Sequence, residues 1–365
     1  MSAVTMREDV HAAIESRLRQ QFAARTAAAA SYGAQYAMLW RVAGERVLGG
    51  KLLRPRLMLE MYRALSDEAR RHADLPAATA VLDLAAAVET LHYSFLLHDD
   101  VIDGDTRRRR SPNLIAALRD SHPDAGGHAR QALHWGQAGG ILMGDLLLAD
   151  VHQVFARAEL SQPARTRALD LLEHTIAETV AGEQTDVALS DRVVAADLNA
   201  ILAMTAHKTA TYTFEFPLRL AAVLAGASVE IESLLTSIGR HLGLAFQLQD
   251  DLLSVFGEPS VSGKDAYSDL REGKQTALIA YARMTSAWPA IEPCFGAPDL
   301  SDAEAETIRE GLRTCGAEAF VRSLIDEQLS TACTLIAEAD ATGGLAAAAR
   351  SVLLALADRL DGRQS

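Results

Sequence analysis

The sequence has few of the features that mark secreted, membrane-spanning or disulfide-linked proteins. Among 365 residues there are three cysteines, an odd number without the C-x-x-C spacing of zinc or redox sites, so we expect reduced thiols. The first residues, MSAVTMREDVHAAIESRLRQ, carry acids and arginines where a secretion signal needs an apolar run. No uncharged apolar stretch reaches the length of a bilayer span. We therefore expect a cytoplasmic protein with no membrane span.

Positive charge is also scarce. Lys and Arg number 35 against 48 Asp and Glu, which gives a formal net charge of -13. Binding of nucleic acid requires a basic surface that neutralises phosphates, so this charge balance excludes a general nucleic-acid binder. Any site for a phosphate group must be a local cluster of cations.

Alternating strand patterns are absent, and the sequence is instead rich in Ala and Leu with a period near 3.6 residues. With 49% hydrophobic residues the chain can bury a large core. Turn and capping residues interrupt the pattern, but no change of composition marks a domain boundary. The sequence predicts an all-α fold, with residues 1–30 as an N-terminal helical arm and residues 31–365 as a single domain.

The stretch LLHDDVIDGDTRRRR places acids directly beside four consecutive arginines. It follows a run without Gly or Pro that predicts one long helix, on which Asp99 and Asp103 lie one turn apart on one face. His92 lies two turns earlier on that face. Because like charges at this spacing repel each other, we expect a cation between the acids.

A second acidic pair occurs in GLAFQLQDDLLSVFG, where Gln247, Asp250, Asp251 and Ser254 follow one stripe of another apolar helix. Either pair alone is typical of a solvated helix face. Two such pairs at the ends of apolar helices favour a metal site. Carboxylate oxygens without nearby Cys or His suit a hard cation, and Mg²⁺ completes its shell with water and substrate phosphate.

Basic residues near these acids provide candidate sites for anions. Lys51 and Arg54 follow two glycines at a predicted helix start, where backbone amides and the helix dipole attract anions. Guanidinium groups of Arg107 and Arg108 match phosphate oxygens in a bidentate manner. Each lysine alone is also compatible with a solvated surface charge. Further candidates near the second acidic pair in sequence are Lys208, Lys264 and Lys274.

Together these motifs resemble the trans-type isoprenyl diphosphate synthases of the polyprenyl synthetase family, among them the bacterial geranylgeranyl diphosphate synthases. The blocks that carry the resemblance, in chain order, are GGKLLRPRL, ETLHYSFLLHDDVIDGDTRR, GGILMGDLLLAD, AGEQTDVAL, HKTATYTFEFPLRLAAVLAG and LAFQLQDDLLSVFG with SDLREGKQTALI. The resemblance implies an all-α bundle around a central active-site cavity and a homodimer. It also implies a reaction that joins isopentenyl diphosphate to an allylic diphosphate with loss of inorganic diphosphate.

The resemblance also assigns roles to individual residues. Residues that would hold Mg²⁺ ions on the allylic diphosphate are Asp99, Asp100, Asp103, Asp250 and Asp251. Residues that would contact that diphosphate are Arg107, Lys208, Lys264 and Lys274. Residues that would bind isopentenyl diphosphate are Lys51, Arg54, His92 and Arg108. Thr209 and Gln247 would lie beside the reacting carbons and complete the catalytic set.

Two departures from the family pattern leave alternatives open. Ser254 stands where the fuller second motif has a third Asp, and either Arg107 with Arg108 or the next two arginines face the site. Two other functions also remain open. A class I terpene cyclase would share the first acidic motif but would not need Lys51, Arg54 and His92. A non-catalytic synthase subunit would be expected to lose acids or arginines.

Product length is predicted from the helix that carries the first acids. Phe95, Leu91 and Val88 precede Asp99 by four, eight and eleven residues and would line the growing chain, although such a stripe is also typical of a core. In the family, the fifth position before the first Asp influences length, and here it is the small Ser94. We expect mainly C20 geranylgeranyl diphosphate, with C15 farnesyl diphosphate or a longer product as the alternatives.

Overall fold

The computed structural model describes residues 3–69, 75–108, 111–123, 126, 128–257, 267–297 and 299–362. Their fold is all-α, which confirms the predicted class. The helices, in chain order, are α1 Ala3–Ala29, α2 Ala34–Arg46, α3 Leu53–Ala69, α4 Ala78–Ile102, α5 Leu114–Asp120, α6 Ala129–Arg157, α7 Gln162–Ser190, α8 Leu198–Thr205, a π-helix Ala206–Glu215, α9 Phe216–Ala225, α10 Val229–Phe256, α11 Ser268–Glu272, α12 Ala277–Arg283, α13 Trp288–Ile291, α14 Asp302–Thr314, α15 Ala317–Ala341 and α16 Ala347–Asp361, with a 3₁₀ turn at Ala30–Tyr32.

One small antiparallel hairpin was not expected from the sequence. Strand β1, Arg107–Arg108, pairs with β2, Ser111–Pro112, directly after the first acidic motif. Two residues per strand are too short to show an alternating pattern, so the hairpin could not be predicted from periodicity. It brings Arg108 back to the acids at the end of α4.

The described residues fall into two compact units, the first made of Met1–Glu60 and Asp74–Leu169. In this unit α4 packs against α6, α1 and α5. Helix α4 is long and apolar enough to cross a membrane, but 83% of its apolar window is buried inside the protein, as in a core helix. An added Cβ on Gly144 of α6 would lie 2.4 Å from Nε2 of His98, so glycine allows the close approach of α6 to α4.

The second unit contains Met61–Ala73 and Asp170–Ser365. Its central helix is α10, which packs against α9, α15 and the π-helix. Ser228 caps the start of α10 by accepting a hydrogen bond from the backbone amide of Ile231. Acids occupy the first turn, where the positive end of the helix dipole stabilises them. The π-helix continues α8 into α9 and contains Lys208 and Thr209. Helices of this kind occur frequently at functional sites.

Candidate active site

The first acidic motif lies at the end of α4, as the sequence predicts, and it is bound by an arginine from the hairpin. Arg108 donates to Oδ1 of Asp100 from Nε at 2.9 Å and to Oδ2 of Asp99 from Nη2 at 3.2 Å. Asp100 is buried and Asp99 is half-buried. A positive charge was expected between Asp99 and Asp103, and the guanidinium of Arg108 instead pairs with Asp99 and its neighbour Asp100.

Burial sets the proton affinity of this ion pair. It raises the pKa of Asp100 to about 6, although Arg108 opposes that rise. Burial would lower the pKa of Arg108, but the charges of Asp100 and Asp99 and the hydrogen bond to Asp100 together outweigh it, so the pKa is raised above the usual value. A carboxylate desolvated to this extent gains from a positive partner.

Other predicted residues of the first unit lie at the start of α3, on α4 and on β1. Lys51 is exposed just before α3, and Arg54 is half-buried in the first turn of α3, as the predicted helix start requires. His92 is half-buried on α4. Arg107 is exposed on β1, whereas Arg108 points to the acids. The alternative pair, Arg109 and Arg110, lies outside the described residues.

In the second unit, a chain of hydrogen bonds joins three of the predicted residues. Thr209 Oγ1 donates to Gln247 Oε1 at 3.1 Å, and Gln247 Nε2 donates to Asp251 Oδ1 at 2.9 Å. Thr209 belongs to the π-helix, and the other two lie one turn apart on α10. The structure thus brings together the residues expected beside the reacting carbons and one expected metal ligand.

Asp251 is the most deeply buried of the predicted acids in this unit. Burial raises its pKa to about 6, while Lys274 and the Gln247 hydrogen bond oppose the rise. Ser254 donates to the backbone carbonyl of Asp251 at 2.9 Å. Its hydroxyl is therefore hydrogen-bonded to the helix backbone. Lys264, also predicted near these acids, lies outside the described residues.

Lys208 is held by two acids that sequence reasoning missed. Its Nζ lies 2.7 Å from Asp186 Oδ2 and 2.9 Å from Glu183 Oε2, both on α7. The two acids are spaced three residues apart within AGEQTDVAL, so they lie on one face of the helix. That spacing was the available signal for a shared cation.

The donor chemistry of both acidic motifs fits a hard divalent cation. Every predicted ligand is a carboxylate oxygen, which Mg²⁺ and Ca²⁺ prefer. Among the described residues no three His, Cys, Asp or Glu side chains converge as a metal cluster. Arg108 already pairs with two of the carboxylates, and burial raises the pKa of Asp100 and of Asp251.

A cavity of about 70 Å³ lies beside α4 within the first unit. Its lining residues are Gln21, Phe22, Arg25, Trp40, Ala87, Thr90, Leu147, Asp150, Val151 and Val154. Thr90 and Ala87 precede Ser94 by four and seven residues and share its face of α4. Ser94 is fully buried and donates to the carbonyl of Gly144 on α6. Arg25 and Asp150 pair at 2.6 Å and give the cavity a charged border.

The other residues predicted to set product length lie on a neighbouring face. Val88 and Leu91 are buried, and Phe95 is half-buried. None of the three lines the cavity, whereas Thr90 and Ala87 do. The helical face that carries Ser94, Thr90 and Ala87 therefore borders this cavity.

Known proteins match this chain in sequence over most of its length. The model of the polyprenyl synthetase family matches residues 37–308. A (2E,6E)-farnesyl diphosphate synthase of Mycobacterium tuberculosis is 32% identical over 275 residues, which cover 73% of this chain and 67% of that protein. A geranylgeranyl diphosphate synthase of Methanosarcina mazei is 30% identical over 277 residues, or 76% of each chain.

Solved structures show the same fold. Geranylgeranyl pyrophosphate synthase from Corynebacterium glutamicum, complexed with isoprenyl diphosphate and magnesium, matches with a TM-score of 0.87 at 29% identity. The match covers 97% of this chain and 99% of that one.

Proposed function

The chain belongs to the polyprenyl synthetase family, and we propose that its main product is the C20 compound geranylgeranyl diphosphate. It is a trans-prenyltransferase that condenses isopentenyl diphosphate with an allylic diphosphate. Relatives named for C15 and C20 products have similar identity to this chain, so product length depends on this chain's own residues.

The reaction requires stabilisation of charge and exclusion of water. Cleavage of the allylic C–O bond leaves a carbocation and inorganic diphosphate; the double bond of isopentenyl diphosphate then attacks the cation, and the departing diphosphate accepts the proton that leaves. Fixed cations stabilise the negative charge as it develops. We assign that role to Lys208, Arg107 and Lys274, and the binding of isopentenyl diphosphate to Lys51, Arg54, His92 and Arg108.

The family uses a divalent metal, and we propose that the ion here is Mg²⁺. The carboxylates that we assign to it are Asp99, Asp100, Asp103, Asp250 and Asp251. When bound, Mg²⁺ would neutralise charge on the leaving diphosphate. Thr209 and Gln247 would stabilise the positive charge on the reacting carbons. Hydrogen bonds hold both side chains in place, since Gln247 donates to Asp251 and accepts from Thr209. This hydrogen-bond chain is the observation that most strongly supports the assignment.

The cavity beneath Ser94 supports a product longer than C15. Ser94 has a small side chain, and Thr90 and Ala87, on the same face of α4, line free volume. The Arg25–Asp150 ion pair would limit further extension, because an alkyl chain that reached it would remove water from two charged groups. Free volume near a small side chain and a charged border together favour an intermediate length.

Product analysis tests the proposal directly. The protein is incubated with Mg²⁺, isopentenyl diphosphate and each of dimethylallyl, geranyl and farnesyl diphosphate, and the products are identified by mass spectrometry. We expect mainly C20 product. Ser94→Tyr should shift the product to C15 and Phe95→Ala to longer chains, while Ser94→Ala, which keeps a small side chain, serves as the matched control. A wild-type C15 product, or no response to either change, would refute the C20 assignment.

We also propose that residues 31–365 act as one catalytic domain, that residues 1–30 are an accessory arm, and that the protein is a cytoplasmic homodimer. Helix α6 supports an interface, since Ile141 and Leu142 are 46% and 57% exposed beside the buried Met143. Light scattering after size-exclusion chromatography measures the oligomeric state, and a monomer at assay concentration would contradict the homodimer.

A further inference from the structure

We propose that Asp186 and Glu183 are positioning residues that hold Lys208 in place for the allylic diphosphate. This inference rests on the proposed function, because it takes Lys208 to be the residue that contacts that diphosphate. The two acids are assigned no role by the acidic motifs, and their place is evident from the ion pairs on α7.

The contacts form a closed arrangement around one ammonium group. Lys208 Nζ is 2.7 Å from Asp186 and 2.9 Å from Glu183, and the lysine side chain is 19% exposed. Asp186 is the more buried acid, with 10% of its side chain exposed against 21% for Glu183. Its second oxygen has no hydrogen-bond partner within the described part of the chain. Lys208 is therefore the group that compensates the charge of Asp186.

A close backbone approach brings these acids to the lysine. An added Cβ on Gly182 would lie 2.3 Å from the backbone nitrogen and 2.6 Å from the Cα of Lys208. A side chain cannot rotate away from such contacts, because the neighbouring atoms are backbone. Glycine at position 182 thus lets α7 lie directly against the π-helix; Asp186 follows one turn later on that face, and Glu183 is the residue next to the glycine.

A positioned lysine binds an anion better than a mobile one. The lysine side chain has several rotatable bonds, and ordering it on binding costs conformational entropy when nothing orders it beforehand. Ion pairs with two carboxylates order the side chain in the free protein, so that part of the cost no longer falls on substrate binding. The carboxylates also repel the diphosphate, and the proposal requires the ordering to outweigh this repulsion.

Steady-state kinetics with each substrate varied in turn tests the inference. Asp186→Ala should raise KM for the allylic diphosphate about tenfold, which corresponds to the loss of one ordered contact. KM for isopentenyl diphosphate should change less than twofold. Asp186→Asn keeps an acceptor oxygen and should restore much of the affinity. Glu178→Ala is the matched control, because Glu178 lies on the same helix and pairs at 3.5 Å with His207, the neighbour of Lys208.

A double-mutant cycle separates positioning from a general structural effect. With Lys208→Met as the background, adding Asp186→Ala should cause no further rise in the allylic KM, because the lysine that the acid positions is gone. Circular dichroism melts of each variant provide the stability. If Asp186→Ala unfolds the protein, the same cycle is run with Glu183→Gln.

The outcomes separate the inference from the proposed function. If Lys208→Met leaves the allylic KM unchanged, the diphosphate role of Lys208 is wrong. If Lys208→Met raises it but Asp186→Ala does not, or lowers it, the acids compete with substrate and the positioning role is wrong. If Asp186→Ala raises the allylic KM equally in the wild-type and Lys208→Met backgrounds, the role of Asp186 is purely structural.

Discussion

The two acidic motifs of this protein have similar sequences but different environments. Asp99 and Asp100 are bound by Arg108, a charge supplied by the hairpin that follows them. Asp251 instead accepts a neutral hydrogen bond from Gln247, and the main positive influence on it is Lys274. Both Asp100 and Asp251 have a pKa raised to about 6 by burial.

The two motifs differ in the partner that compensates the carboxylate charge. The first motif carries its own guanidinium, so much of its negative charge is already compensated. The second is connected through Gln247 to Thr209, so its charge is linked to the residues we assign to the reacting carbons. We therefore expect loss of Arg108 at the first motif to reduce the stability of the fold. At the second motif we expect a bound metal to have the stronger effect.

The largest expected effect is on turnover, which should be lost when no metal is available to the two acidic motifs. EDTA should abolish turnover, and Asp99→Ala should lower kcat about a thousandfold because a metal contact at the leaving group is lost. Activity is measured by product formation and folding by circular dichroism. Asp120→Ala, an exposed acid of the same unit paired with Arg119, is the control and should keep wild-type activity. Full activity in EDTA would contradict the metal-dependent mechanism.

The next effect tests the guanidinium of the first motif. Arg108→Met should lower the free energy of unfolding by about 3 kcal/mol, because it leaves the buried carboxylate of Asp100 without its partner. Urea denaturation measures the loss. Adding Asp100→Asn removes the uncompensated charge and should recover most of the stability. If Lys274→Met destabilises the protein as strongly, the two motifs do not differ as proposed.

A smaller effect of opposite sign is expected for the second motif. A carboxyl with a raised pKa favours the folded state while protonated, so wild-type stability without metal should fall as pH rises from about 4 to about 6. Asp251→Asn removes this loss and should stabilise the metal-free protein by about 2 kcal/mol at pH 7.5. The gain should vanish near pH 4. Thermal melts at both pH values in EDTA give the comparison, and a variant less stable than wild type at pH 7.5 would contradict it.

The smallest effect concerns the proposed isopentenyl diphosphate site, to which we assign Arg54. Arg54→Ala, in the first unit, should raise KM for isopentenyl diphosphate about tenfold, with less than a twofold change for the allylic substrate. Arg63→Ala, near the other end of α3, is the control. Equal effects of Arg54→Ala on both substrates would show that Arg54 does not distinguish them.

Much of the site was predictable because its residues follow helical periodicity. Asp99 lies on α4, and Gln247 and Asp251 lie one turn apart on α10, as their spacing indicated. Such spacing fixes the face of a helix whatever the helix packs against. The all-α class was predictable for the same reason.

Other features depend on contacts between residues distant in sequence, which spacing does not encode. The partnership of Arg108 with Asp100 requires the hairpin, and four arginines in a row gave no means of choosing among them. A π-helix of ten residues is too short to show a period distinct from that of an α-helix, so residues 206–215 read as ordinary helix. The cavity near Ser94 is also lined by residues of α1 and α2, which no motif indicated.

The glycine contacts between α4 and α6 have a consequence for how the product grows. Added Cβ atoms on Gly140 and Gly144 would lie 2.9 Å from Val101 and 2.4 Å from His98, so the two helices have no space to move closer together. Close-packed interiors are only slightly compressible. We therefore expect this wall to change little during catalysis, so that each added C5 unit must fit into volume that exists before the chain arrives. On this expectation, product length is set by the folded protein and not by how long the substrate remains bound.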